Sequence, residues 1–226
     1  MVKDLKRKYS LNMLGLVETK RQLVTRFNIL KIWGNGCVGW EYVGSDSASG
    51  QSLLMWDDGF FKMRNCYKVE RWLCVEGILS ETSINCAFFL VYGAHTRDEK
   101  LVVWKELSYV AGLFQRPSYF LGDFNEITQV EERRGSDGLP STTQDFKDWI
   151  NDMGLVELPI TDRKFTWFRG RSCSRIDRAL VSLEWLEAFP ETRLRGGSRG
   201  LSDHYSIIVE DKRQRNGPRP FRSLDL

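Results

Sequence analysis

Residues 119–125 read Tyr-Phe-Leu-Gly-Asp-Phe-Asn. An apolar run meets a glycine, a carboxylate follows at once, and an amide comes two places later. A short strand ending this way delivers Asp123 and Asn125 to the carboxyl rim of a sheet, where ligands bind in open α/β sheets. Three other segments share the pattern. Leu14-Gly-Leu-Val-Glu18 places an acid after an apolar run, Arg175-Ile-Asp177-Arg carries a second, and Ser202-Asp203-His204 leads into the apolar stretch 205–209. If the four rims converge, they supply Glu18 for a hard cation, Asp123 with Asn125 for a water and a phosphate oxygen, and an Asp177–His204 pair. Oxygen ligands without cysteine favour Mg2+. A histidine held by an aspartate suits acid–base work near neutral pH.

Outward from these segments, strand-like runs occupy 11–17, 52–56, 72–79 and 84–92, rich in branched and aromatic residues. The period then changes. Leu101, Trp104, Leu107, Val110 and Ala111 fall on one face of a helix over 98–114, and Phe146, Trp149 and Ile150 mark a second over 142–153. Short strands are expected at 118–121, 165–168 and 205–209. Hairpin-like succession followed by alternation with helices points to one layered, mixed-sheet α/β domain. Gly34-Asn-Gly36-Cys-Val-Gly39 matches a dinucleotide fingerprint, but Trp40-Glu-Tyr-Val43 follows it where a helix should begin, so it reads as a glycine-rich turn.

The chain has 226 residues, 42% apolar and 28% charged, which suits a folded domain rather than a disordered tail. Its longest apolar run, 86–92, falls far short of the ~20 residues of a membrane-crossing helix. The charged N-terminus has no apolar signal region, so an intracellular protein is expected. Five cysteines without a C-x-x-C and only two histidines speak against a zinc cluster and for free thiols. Net charge is +3 but uneven: 101–162 is acidic, whereas 163–178 holds six basic residues against Asp177 alone. Carboxylates to hold metal beside arginines to hold a polyanion suit phosphodiester chemistry. The basic, proline-containing stretch 211–226 reads as a linker tail.

In order and wording, LGLVETK (14–20), GQSLLMWDD (50–58), VYGAHTRDEKLVVWKEL (91–107), LGDFNEI (121–127), FTWFRG…SRIDRALVS (165–182) and LSDHYSIIV (201–209) resemble the endonuclease/exonuclease/phosphatase superfamily, the DNase I-like fold. They look most like the endonuclease domain of plant LINE-type non-LTR retrotransposons. The resemblance spans nearly the whole chain and implies a four-layered α/β/β/α sandwich over 1–210. It implies a Mg2+-dependent DNA-nicking endonuclease, Mn2+ being able to substitute, with a reverse transcriptase following in a full-length element and action in the nucleus. GPRPFRSLD (217–225) looks like the segment leading towards that second domain. Residue by residue, the resemblance makes Glu18 a metal ligand, with Asp203 beside the metal and His204. Tyr92 becomes a phosphate-contacting hydroxyl, Asp123 the group that activates water or handles the leaving-group proton, and Asn125 a phosphate or orienting contact. Asp177 orients His204. Thr166, Arg169, Arg171 and Arg175 fall to nucleic-acid binding, while His95 is left a rim histidine.

One departure bears on activity. The family opens with a strand ending in a metal-site asparagine, whereas Met1 falls where that family's first helix should lie. Asn12 sits too late to replace that asparagine. The chain is therefore expected to be N-terminally truncated, with sheet edges unpaired and activity impaired. Two alternatives stay open: an inactive retroelement remnant that binds nucleic acid without cutting, and a phosphatase of the same superfamily.

Overall fold

The computed structural model of the protein describes residues 2–19, 24–34, 36–44, 51–135, 138–200 and 202–211. From residue 212 the expected linker tail lies outside these, as do Lys20, Gly50 and Leu201 of the motifs above.

The first half builds hairpins. Helix α1 (Val2–Tyr9) precedes β1 (Met13–Val17), then α2 (Arg26–Trp33), β2 (Val38–Val43), β3 (Ser52–Asp57), β4 (Phe61–Val69), β5 (Trp72–Leu79) and β6 (Asn85–Tyr92). In the second half, α3 (Arg97–Gly112), β7 (Ser118–Asp123), β8 (Arg133–Arg134), α4 (Thr142–Asp152) and β9 (Val156–Glu157) come first. They are followed by β10 (Trp167–Arg169), β11 (Ser172–Ser174), β12 (Asp177–Val181), α5 (Leu183–Ala188), β13 (Thr192–Arg199) and β14 (Tyr205–Asp211). Six strands form one sheet in the order β4-β5-β6-β7-β12-β9, with β6 and β7 parallel. A second sheet, β1-β3-β2, is antiparallel, and β13 pairs with β14.

Side-chain alternation sorts these elements into layers. Leu73, Val75, Phe88 and Leu90 of the large sheet meet Leu54 and Trp56 of β3 and Leu194 of β13 in a central core. The residues in between, Cys74, Phe89 and Val91, point the other way and bury Trp104 and Leu107 of α3 with Phe146 and Trp149 of α4. On the far side of β3, Leu53 and Met55 pack against Ile29 and Trp33 of α2. Helices, sheet, sheet and helix make the expected α/β/β/α sandwich. Both faces of β5 and β6 are covered, and their near-continuous apolar runs follow from that.

The fingerprint-like glycines do end a helix. Gly34, at φ 96°, closes α2 by donating its N–H to Leu30 O, and the chain then enters β2. A dinucleotide loop runs in the opposite order, from strand to helix.

Candidate active site

The large sheet places three of the expected residues on one row. Tyr92 closes β6 beside Asp123 at the end of β7, and Asp177 opens β12 directly across from Asp123. Two glycines let the backbones close up there. A Cβ on Gly122, which has φ 145°, would lie 2.0 Å from Val91 O, and one on Gly93 would lie 2.3 Å from Phe124 O. Asn125, itself at φ 51°, folds back so that its N–H donates to Asp123 Oδ1 at 2.8 Å and its amide donates to Gly93 O at 2.7 Å.

His204 completes the group from a different sheet. Its Nδ1 lies 2.9 Å and 3.1 Å from the two Asp177 oxygens, and its Nε2 is 3.9 Å from Asp123 Oδ2. Burial works against an imidazolium at this place. The hydrogen bond to Asp177 and its charge, helped by Asp123 and Asp203, outweigh it and hold His204 up at about 9. For Asp123, which is only 3% exposed, burial first and the Asp177 charge second push the carboxyl well above the ordinary carboxylate range. His204 and the Asn125 N–H oppose that rise, and Glu18 adds to it. At neutral pH the ring is therefore a cation clamped to Asp177, facing a carboxyl that is reluctant to ionise.

Glu18 joins from β1. It follows Val17 in a left-handed conformation, φ 54°, and its Oε1 accepts a hydrogen bond from the Tyr92 hydroxyl. Burial, that bond and the neighbouring carboxylates raise the Tyr92 phenol far above its usual range, so it stays a donor. Asp203 is near enough for its charge to act on the ring, and its Oδ2 accepts from Trp167 Nε1 at 3.0 Å. The backbone fastens the same contact: Phe168 N–H donates to Asp203 O, and Tyr205 N–H to Thr166 O.

Two of the expected nucleic-acid contacts have partners within the protein. Thr166 is fully buried, and its hydroxyl accepts the N–H groups of Ile176 and Asp177 at 3.2 and 3.1 Å. It therefore helps to position Asp177 from inside the protein. Arg175 is tied to Glu132 and Glu157 at 3.0 and 2.6 Å, so its charge is spent inside the protein. Arg169 and Arg171 do stand exposed, on the turn between β10 and β11 around Gly170.

Buried supports that leave no local mark in the sequence stand behind these residues. Lys100 Nζ donates to Asn125 O at 2.7 Å and to Glu126 Oε2 at 2.6 Å, and Thr142 and Thr143 hydroxyls complete the shell of Glu126. Arg178, fully buried one place after Asp177, binds Glu132, Glu157 and the Glu126 carbonyl. These charges are paired and hydrogen-bonded, as burial requires, and they hold the ends of β7 and β12 from behind.

The donor set also bears on metal. Among the described residues no three His, Cys, Asp or Glu groups converge to hold an ion by themselves. Yet burial first, and then the Asp177 and Glu18 charges, raise the cost of ionising Asp123, a surplus of negative potential that a cation would relieve. Carboxylate oxygens without a closed cage suit Mg2+, which keeps waters and substrate phosphate oxygens in its shell, and do not suit zinc.

No protein-family model matches the chain, and no curated protein matches it by sequence. Solved structures do match. An AP endonuclease from Archaeoglobus fulgidus superposes with a TM-score of 0.71 at 12% identity, covering 94% of this chain and 93% of that one. A 3′ phosphatase from Neisseria, solved with a product DNA hairpin, gives 0.71 at 16%, covering 93% and 92%. The fold is that of the endonuclease/exonuclease/phosphatase, DNase I-like, proteins. Among its neighbours is the endonuclease domain of TRAS1, a telomere-specific non-LTR retrotransposon, with a TM-score of 0.68 at 14% identity over 94% of this chain and 91% of that one.

Proposed function

We propose that the protein is a Mg2+-dependent phosphodiester hydrolase that nicks DNA, of the kind carried by LINE-type retroelements. The observation that carries this reading is the row Tyr92–Asp123–Asp177 with His204 clamped over it and Glu18 bound to Tyr92. No residue in this group is a ready nucleophile. The arrangement instead offers a cationic donor, a proton-holding carboxyl and a neutral phenol around one spot, which fits attack by water on a phosphate.

In this mechanism the Nδ1 side of His204 is committed to Asp177, so its Nε2–H faces the cleft and donates to a phosphate oxygen as charge builds there. Asp123 handles the proton of the attacking water or leaving oxygen, its affinity for that proton set by burial and Asp177. Asn125 spends one amide N–H on Gly93 O, leaving the second for the phosphate. Tyr92 orients Glu18. Glu18 and Asp203 would hold Mg2+, which when bound neutralises charge on the phosphate oxygens. Arg169 and Arg171 grip the backbone of the DNA. In a full-length element a reverse transcriptase would follow, and the work would be done in the nucleus.

The test is an end-labelled duplex oligonucleotide with Mg2+, alongside a 3′-phosphorylated one. Internal cleavage is expected. Release of the terminal phosphate with no internal cleavage would replace this reading with a phosphatase.

A further inference from the structure

The turn that carries Asp203 and His204 joins β13 to β14, and it is exposed at Gly200 and Ser202. Backbone bonds from Phe168 N–H to Asp203 O and from Tyr205 N–H to Thr166 O fasten its β14 side to the strand bearing Trp167 and Phe168. A side chain fastens its β13 side. Arg199, the last residue of β13, donates Nε–H to Ser202 O at 3.0 Å and an Nη2–H to Phe168 O at 3.3 Å. The first bond closes the turn upon itself. The second crosses to the β10–β11 hairpin at the residue just before Arg169, one of the two exposed arginines at the hairpin's tip.

Rings hold the same guanidinium. It lies 5.6 Å from the Phe168 centroid and 5.8 Å from that of Tyr205, and those two rings meet edge to face at 5.5 Å. Both ring faces attract the cation, and one ring belongs to the hairpin while the other follows His204. Tyr205 is braced in turn by Arg163, whose guanidinium stands 4.2 Å from its centroid. Gly196 makes room for that arginine, since a Cβ there would lie 1.7 Å from Arg163 Nε, and Arg163 Nη2 donates to Gly197 O at 2.9 Å. The acceptors of Arg199 are main-chain carbonyls rather than carboxylates. Its planar fork therefore fixes the relative place of two backbone segments, a task for which an ammonium is poorly shaped.

Resting on the proposed function, we propose that Arg199 is a positioning residue that clasps the His204 turn to the β10–β11 hairpin. The DNA backbone gripped by Arg169 and Arg171 and the imidazole that acts on the scissile phosphate then keep one fixed spacing. Arg199 acts through Ser202 and Phe168 rather than by touching the phosphate, and Arg163 supports it through Tyr205. A binding tip and a catalytic side chain on separate elements give rate only while that spacing holds, because a misplacement of about 1 Å can cost about a hundredfold.

Single-turnover nicking of a duplex, paired with duplex binding by fluorescence anisotropy across a salt series with Ca2+ in place of Mg2+, tests this. Arg199→Met keeps contact with the two rings and removes both hydrogen bonds. Its rate at saturating DNA should fall at least about tenfold, while affinity and salt slope stay those of the wild type. Arg199→Lys, whose ammonium can reach one carbonyl, should recover part of the rate. A salt slope lower by about one with an unchanged rate at saturation would make Arg199 a phosphate contact and overturn the clasp. A variant that melts earlier yet nicks at the wild-type rate while folded would overturn it too. Amide hydrogen exchange reads the clasp without activity. The Phe168 and Tyr205 amides, bonded to Asp203 O and Thr166 O, should exchange about tenfold faster in Arg199→Met, with those of Phe88 and Phe89 in β6 unchanged. If the wild type does not nick DNA, the functional reading fails and exchange alone decides: faster exchange upholds the clasp between hairpin and turn, and equal exchange overturns it.

Discussion

Asp177→Asn removes one charge at nearly constant shape, and its consequences spread along the row. In the wild type, Asp177 holds His204 Nδ1 at 2.9 Å and is the foremost cause that lifts the ring from 6.5 to about 9 against the pull of burial. That rise corresponds to roughly 3 kcal/mol in favour of the imidazolium. The sign follows from linkage: a folded-state value above the unfolded one adds stability that is fully present below about pH 6.5 and is lost as pH climbs through about 9. With asparagine at 177, burial is opposed by the Asp123 and Asp203 charges alone, so the ring loses its proton at lower pH and much of this pH-dependent stability is lost. Asp123, relieved of a like charge, should ionise more easily. The assay is an NMR titration of the imidazole signals, simplified because the chain has only two histidines and the other, His95, is exposed. The wild-type His204 midpoint should lie near 9 and fall by more than about 1 in the variant, with a loss of about 10²–10⁴ in hydrolysis. A midpoint that stays put in Asp177→Asn would refute the claim that the carboxylate, rather than the general field, holds the ring charged.

Glu18→Gln should raise the Mg2+ concentration for half-maximal nicking as well as lower the rate, because it weakens a hard-cation ligand. Arg169→Ala and Arg171→Ala should each weaken DNA binding and flatten its salt dependence by roughly one counterion, with little change in rate at saturating DNA. Thr166→Val leaves two buried N–H groups unpaired and should cost about 1–3 kcal/mol in urea denaturation. Arg178→Met leaves Glu132 and Glu157 with Arg175 as their remaining cationic partner and should cost about 3 kcal/mol; a variant as stable as wild type would show that Arg175 alone satisfies those carboxylates.

Much of this architecture could be read before any coordinates because burial on two faces leaves a plain mark. Runs such as 84–92 and 72–79 have no polar face to confuse the period, and the polar residue that ends such a run is conspicuous. Glu18 and Asp123 were visible for that reason, and Asp177 and His204 because each stands at the head of an apolar strand. β4 was not, since four consecutive residues after Phe61 are exposed and a bulge between Met63 and Asn65 breaks its alternation. The β10–β11 region misled in a different way. Composition counts Arg175 and Arg178 with Arg169 and Arg171, but pairing with Glu132 and Glu157, both more than 15 residues away, takes the first two inward. Thr166 looks like any threonine between aromatics until the Ile176 and Asp177 amides are found on its hydroxyl. The Lys100–Glu126 pair, with a sequence separation of 26, left no local signal at all.

Nicking of supercoiled plasmid by wild type and by His204→Ala, side by side in Mg2+ and in EDTA, bears most directly on the central claim. The wild type should convert supercoiled to open-circular DNA only with Mg2+, and the variant should be slower by at least about a hundredfold. Equal nicking by the two proteins, or nicking that survives EDTA, would contradict the assignment of His204 and its row of strand ends as the catalytic site.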